Sequence, residues 1–185
     1  MRETLLASRY AKSLFDLSID MKLLEEVYKD VTELLEICQS SKDFDQMLKS
    51  PVIRQDKKMK VLSVIFRERV QDLTYKFIEL LTRNKREKYL AEIARQFILM
   101  YKKYHNIVTT YVKTAVSMSK ESRDQILGIM GKYTKGNIEL IEEVDEKLIG
   151  GFVLSFDDMQ FDASLAREIS RLKSEFEKNL YVRGI

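Results

Sequence analysis

The sequence predicts a mainly α protein in which an N-terminal six-helix bundle is followed by a small α/β domain with a mixed sheet. Three observations support this prediction. The 185 residues include only six glycines and one proline, so turns are rare and long helices are favoured. Apolar residues recur at helical spacing through about the first hundred residues. After His105 the pattern changes to a β-branched run, which is typical of a strand.

The first half of the chain divides into six amphipathic segments. Each segment places its apolar residues together when successive residues are turned by about 100°. The third segment is expected to end before Pro51, because the residue that precedes a proline is disfavoured in the helical region. The first and sixth segments are apolar over about half of their circumference, as expected for helices at the centre of a bundle. The six predicted helices span residues 5–19, 24–38, 40–48, 56–66, 70–83 and 90–104.

The second half is expected to combine strands with helices. Residues 107–116 place alternate β-branched side chains on one face, as a half-buried strand does. Ser119 is a suitable N-cap for a helix that runs to about Tyr133. Further strands are expected at residues 138–144, 151–156 and 159–161, with Asp157 and Asp158 in a tight turn. Ser164 can cap the last helix, and a boundary at His105 gives domains of residues 1–105 and 106–185.

The composition disfavours most catalytic chemistry. The chain has one cysteine, Cys38, and one histidine, His105, which cannot form an internal disulfide or build a metal cluster. We find no nucleophile with a partner base and no convincing phosphate loop, so we expect no catalytic residues, no metal and no cofactor.

Charge and hydropathy limit the partners and the compartment. The 32 basic and 29 acidic residues leave a net charge of +3, and acids dilute the basic runs at residues 57–58, 83–88 and 102–103. A helical nucleic-acid-binding module, which would present a heavily basic face, is therefore the alternative interpretation. No apolar run approaches the ~18 residues of a membrane span, and the start of the chain does not read as a signal peptide. We expect a cytosol-like compartment.

The first helix carries two adjacent apolar rows. Ala7 and Ala11 allow another backbone to approach closely, while Tyr10, Leu14 and Phe15 supply contact area beside them. One interpretation is a groove for an amphipathic helix of a partner, and the other is that both rows belong to the core. On the first interpretation, Ala11→Arg should weaken partner binding far more than folding.

Four segments resemble, in order, motifs of the delta subunit of F-type ATP synthases, which is related to the mitochondrial oligomycin-sensitivity-conferring protein. The resemblance spans essentially the whole chain, and its third segment is accompanied by Ser119. Lys85 departs from the family pattern, because a glycine is frequent at this position. The four segments are residues 9–15 (RYAKSLF), 80–86 (LLTRNKR), 112–115 (VKTA), and 145–153 (DEKLIGGFV) followed by Asp162, Ser164 and Leu165.

The resemblance implies a non-catalytic subunit in the peripheral stalk of a proton-translocating F-type ATP synthase. Such a subunit links the catalytic head to the membrane sector and resists rotor torque during ATP synthesis. The helical domain would bind N-terminal segments of the alpha subunits, and the smaller domain would bind the C-terminal part of the b subunits. The chain would bind no nucleic acid, and it would reach the cytoplasmic face of the bacterial cell membrane only through the complex.

The resemblance also implies positions for the site. In the family, the alpha-subunit helix lies along the first and fifth helices, which gives Ala7, Tyr10, Ala11, Leu14, Phe15, Phe77 and Leu81 as candidate contacts. The remaining motif residues suit structural roles. We expect a helix C-cap at Asn84, a tight strand entry at Gly150 and Gly151, and a turn and an N-cap at Asp162 and Ser164.

Overall fold

The chain is mostly helical and carries one small mixed sheet, as the sequence predicts. The structure is a computed structural model that describes residues 2–131, 134, 136–145, 147–156 and 159–179. These residues form eight α-helices, one short 3₁₀-helix and four strands. Two compact units divide between Tyr104 and His105, and each is described by itself.

The first unit, here called the helical unit, contains no strand among its described residues. Its helices begin and end within a few residues of the bounds that the apolar periodicity predicts, whereas that periodicity does not indicate the 3₁₀-helix. The elements are α1 (Arg2–Asp20), α2 (Leu24–Ser40), α3 (Lys42–Lys49), α4 (Gln55–Phe66), α5 (Asp72–Arg83), the 3₁₀-helix (Glu87–Tyr89) and α6 (Leu90–Tyr104).

The core of the helical unit forms where α1 and α2 pack on α6. The Phe15 ring on α1 meets Phe97 and Tyr104 on α6 edge to face, with centroid distances of 5.8 Å and 5.7 Å. Tyr28 on α2 stacks on Tyr101 of α6, with 3.8 Å between the ring centroids. Such aromatic pairs stabilise a core beyond the area that they bury.

Two buried polar clusters join segments that are distant along the chain. Asp30 on α2 accepts hydrogen bonds from the Gln71 N–H at 2.8 Å and from the Thr74 hydroxyl at 2.7 Å, so α2 caps the start of α5. Lys58 on α4 donates to Glu87 Oε1 and to the Leu48 carbonyl, both at 2.7 Å. These two clusters fix α4 and α5 against their neighbours.

The second unit is a four-stranded sheet with two helices. Its elements are β1 (Ile107–Thr114), α7 (Lys120–Met130), β2 (Asn137–Val144), β3 (Gly151–Phe156), β4 (Met159–Ser164) and α8 (Leu165–Asn179). The strand order is β2-β1-β3-β4. β1 pairs parallel with β2 through the α7 crossover, and β3 pairs antiparallel with β1 and β4.

The core of this unit lies between α7 and one face of the sheet. Val112 and Leu154, which are opposite each other in the β1–β3 register, have no exposed surface and pack with Ile126, Met130 and Phe156. The Ser119 hydroxyl accepts from the Ser122 N–H and caps α7. The helix ends at Met130, short of the predicted end at Tyr133, which lies outside the described residues, as do Asp157 and Asp158 of the predicted turn.

Candidate partner-binding site

Five of the seven candidate contact residues lie in the core of the helical unit. Ala7, Ala11 and Leu81 have no exposed surface, and Leu14 and Phe15 are also buried. α6 packs along α1, so the small side chains of Ala7 and Ala11 serve the packing of the protein itself. For these five residues, the structure supports the core interpretation that the periodicity left open.

Tyr10 and Phe77 are only half buried and lie closer to solvent. Their rings meet edge to face, with 6.5 Å between the centroids and 66° between the planes. Tyr10 belongs to α1 and Phe77 to α5, so this ring pair connects the two helices.

Further apolar residues extend this surface along both helices. On α1, Leu6 and Leu17 share the face of Tyr10 at helical spacing, and on α5, Leu73 and Leu80 share the face of Phe77. Leu17 is 45% exposed and Leu80 is 47% exposed, while Leu6 and Leu73 are half buried. We call these six residues the α1/α5 groove. Their apolar spacing is visible in the sequence, but which apolar row stays exposed is not.

The end of α5, which carries the second family-like motif, forms a regular helix cap. Asn84 is the C-cap, and Lys85 adopts a left-handed conformation with φ 57°. The Arg86 N–H donates to the Leu81 carbonyl at 2.8 Å, and the Lys85 N–H donates to the Thr82 carbonyl at 3.0 Å. This pair of hydrogen bonds is the Schellman motif, in which glycine is the favoured left-handed residue.

Gly150 and Gly151 lie where β3 begins next to α8. A Cβ atom on Gly151 would clash with the Ala163 carbonyl oxygen. The Gly151 φ of +77° also disfavours any other residue. A Cβ atom on Gly150 would lie 2.7 Å from the Leu165 side chain. The Leu165 N–H donates to the Gly150 carbonyl at 3.0 Å, so the glycines allow the start of α8 to pack on the start of β3.

Asp162 and Ser164 cap the last helix together. The Ser164 N–H donates to Asp162 Oδ1 at 2.9 Å, and Ser164 Oγ accepts from the Arg167 N–H at 3.3 Å. Hydrogen bonds from the hydroxyl and the backbone N–H of Ser164 lower the pKa of Asp162, with a smaller contribution from Arg167. Both residues therefore stabilise the strand-to-helix junction.

The chemistry of the described residues gives no support to the nucleic-acid alternative. Lys58, from one of the basic runs, is buried against Glu87 and is not free to bind a phosphate. Arg83 pairs with Glu79 at 2.6 Å. No group of His, Cys, Asp and Glu side chains suited to a metal ion occurs among the described residues. Within the same residues, no helix combines the length and hydropathy required to cross a bilayer.

Apolar surfaces exposed on helices are typical of the class of proteins that bind other proteins. Comparison with known proteins narrows this class to one family. A family model described as "ATP synthase delta (OSCP) subunit" matches residues 6–176. The ATP synthase subunit delta of Christiangramia forsetii is 36% identical over 185 residues, which is 100% of both chains. That of Cytophaga hutchinsonii is 32% identical over 180 residues, 97% of this chain and 98% of the relative.

A solved structure has the same fold. One chain of the Toxoplasma gondii mitochondrial ATP synthase hexamer, determined by cryo-EM, superimposes with a TM-score of 0.70 at 24% identity. The match covers 92% of this chain and 97% of that chain. The protein belongs to the ATP synthase delta (OSCP) family, whose members are non-catalytic subunits of the peripheral stalk of F-type ATP synthase.

Proposed function

We propose that this subunit ties the catalytic head of the synthase to its peripheral stalk through its two units. The six α-helices of the helical unit act as one bundle that binds N-terminal segments of the alpha subunits. The second unit binds the C-terminal part of the b subunits. Two such interactions in one chain raise the overall affinity through effective concentration. Together they resist the torque that the rotor exerts during ATP synthesis.

The α1/α5 groove is the proposed site for the alpha-subunit helix. An amphipathic helix binds a groove through apolar residues at positions i, i+3 or i+4, and i+7. The groove presents two apolar rows on adjacent helices, with the Tyr10–Phe77 ring pair between them. This half-exposed ring pair is the observation that carries the proposal.

The seven residues first expected to touch the partner then divide into two roles. Tyr10 and Phe77 contact the bound helix directly. The other five, Ala7, Ala11, Leu14, Phe15 and Leu81, position α1 and α5 from below, because they are buried beneath the surface.

The proposed location of the protein in the cell follows from its bacterial relatives. The relatives from Christiangramia and Cytophaga are bacterial subunits, so we place the protein at the cytoplasmic face of the bacterial cell membrane. It is held there only by the other subunits.

Isothermal titration calorimetry with the full chain and an N-terminal peptide of the alpha subunit from the same species tests this proposal. Leu80→Asp, at an exposed groove position, should reduce affinity by about thirtyfold, which corresponds to the ~2 kcal/mol of a central contact. Leu99→Asp is the matched control, because Leu99 is 59% exposed on α6 and lies outside the groove.

The salt dependence of binding distinguishes a stalk subunit from a nucleic-acid-binding module. Apolar docking in the groove should change little between low and moderate salt, whereas binding to phosphates falls steeply. Absence of peptide binding, or equal losses for Leu80→Asp and Leu99→Asp, would contradict the proposed site.

A further inference from the structure

α8 presents an apolar row that the described part of the chain covers only in part. The row, here called the α8 stripe, consists of Leu165, Ile169, Leu172 and Phe176, which are 45%, 58%, 44% and 70% exposed. α8 packs chiefly against the neighbouring β4, and Leu165 also contacts Gly150, but about half of the stripe surface remains in solvent. Exposed apolar rows of this kind mark sites of association.

The spacing of the stripe is that of a coiled coil. Its members are separated by four, three and four residues, which is the repeat of alternating d and a positions in a heptad. Leu165 and Leu172 take the d positions, while Ile169 and Phe176 take the a positions. Leucine at both d positions, with the β-branched Ile169 at one of the two a positions, favours two parallel strands.

The charges beside the stripe select the same arrangement. In this register Glu168 is a g residue and Lys173 is an e residue. Two parallel helices bring each g residue next to the e residue that lies five positions further along the other helix. Glu168 of one copy would therefore face Lys173 of a second copy, and the symmetry of the pair would repeat this contact.

An antiparallel pair would have the opposite effect. It brings g residues next to g residues and e residues next to e residues. With the two stripes aligned, Glu168 of one copy would face Glu175 of the other, and Lys173 would face the uncharged Ala166. Like charges at these positions destabilise pairing.

We propose that the unassembled subunit pairs with a second copy of itself through the α8 stripe, as a short parallel two-stranded coiled coil. The pairing is weak, because two heptads bury few side chains and short helices contribute little stability of their own. It removes the apolar row from solvent while the subunit is outside the complex. The inference goes beyond the tie between head and stalk and does not depend on it.

Charge exchange tests the partner and the register in the full chain. Sedimentation equilibrium between about 10 µM and about 1 mM should show a monomer–dimer equilibrium for the unmodified chain. Glu168→Lys alone and Lys173→Glu alone should each weaken the dimer by about tenfold, because each creates two repulsive pairs. An equimolar mixture of the two variants should restore it, since every Lys then faces a Glu.

Ser174→Glu is the matched control, because it adds a charge at an exposed f position of α8 and keeps the Arg171–Glu175 ion pair. It should leave the dimer unchanged. Three results would overturn the proposal: the chain is monomeric at every concentration, the mixture of variants does not regain the dimer affinity, or Glu168→Lys and Lys173→Glu leave the dimer affinity unchanged. The last result would assign pairing to another surface.

A disulfide tests the direction of the two helices. In a Cys38→Ala background, Ile169→Cys places one thiol at an a position, where the two copies meet only if the helices are parallel. Oxidation at high protein concentration should yield a disulfide-linked dimer. Ser170→Cys, next to the stripe, should cross-link far more slowly. Equal rates for the two cysteines would overturn the parallel register.

Discussion

Replacing Lys58 by methionine should strongly destabilise the helical unit, although the sequence of basic residues at positions 57–58 suggests an exposed side chain. The Lys58 side chain is 5% exposed and the Glu87 side chain is 10% exposed, with 2.7 Å between Nζ and Oε1. Lys58→Met keeps most of the buried volume but leaves Glu87 without its cation. It also removes the hydrogen bond to the Leu48 carbonyl.

The cost follows from leaving a buried charge without its counter-ion. Removing one partner of a buried ion pair typically costs about 3–5 kcal/mol. The free energy of unfolding should therefore fall by about 3–5 kcal/mol.

Urea unfolding followed by circular dichroism measures these changes. Lys57→Met is the matched control, because Lys57 is the exposed neighbour on α4, and its effect should stay within about 0.5 kcal/mol. The double variant Lys58→Met/Glu87→Leu should recover much of the loss, since it removes both charges. A double variant as unstable as the sum of the two single variants would refute this reasoning.

Three further predictions follow from burial and backbone geometry. Ala11→Arg should prevent the helical unit from folding, because Ala11 has no exposed surface. Asp16→Arg, on the solvent side of α1, is the control and should melt cooperatively. An Ala11→Arg protein that is soluble and melts cooperatively would indicate that Ala11 belongs to the partner-binding surface. Lys85→Gly should raise the free energy of unfolding by about 1 kcal/mol, because a residue with a Cβ atom is strained at positive φ. Lys85→Ala, which keeps that strain, should not raise the free energy of unfolding. If urea unfolding shows equal increases for the two variants, strain at Lys85 is not the cause. Burial raises the pKa of Cys38 to about 11 from the ordinary 9.0. At pH 8 the Cys38 thiolate should therefore be about a hundredfold scarcer than in the unfolded chain, and labelling by disulfide exchange should be correspondingly slow. Rapid labelling of the native protein would contradict the buried position of Cys38.

The sequence by itself determined the types and order of most elements. Apolar periodicity placed the helices of the first half within a few residues, and the β-branched run after His105 marked β1. Ser119 and Ser164 identified the starts of α7 and α8, because an N-cap acts on backbone groups two or three residues away. Local interactions of this kind are readable from a short stretch of sequence.

Only the tertiary structure decided which apolar row is buried. Helical periodicity shows that α1 has a broad apolar side, but it cannot show which part of that side another helix covers. α6, about ninety residues further along the chain, packs along α1, and Ala7 and Ala11 are buried whereas Leu17 stays exposed. The same limit applies to Lys58, whose partner Glu87 is 29 residues away. Burial and pairing depend on contacts between distant segments, and these exist only after the chain has folded.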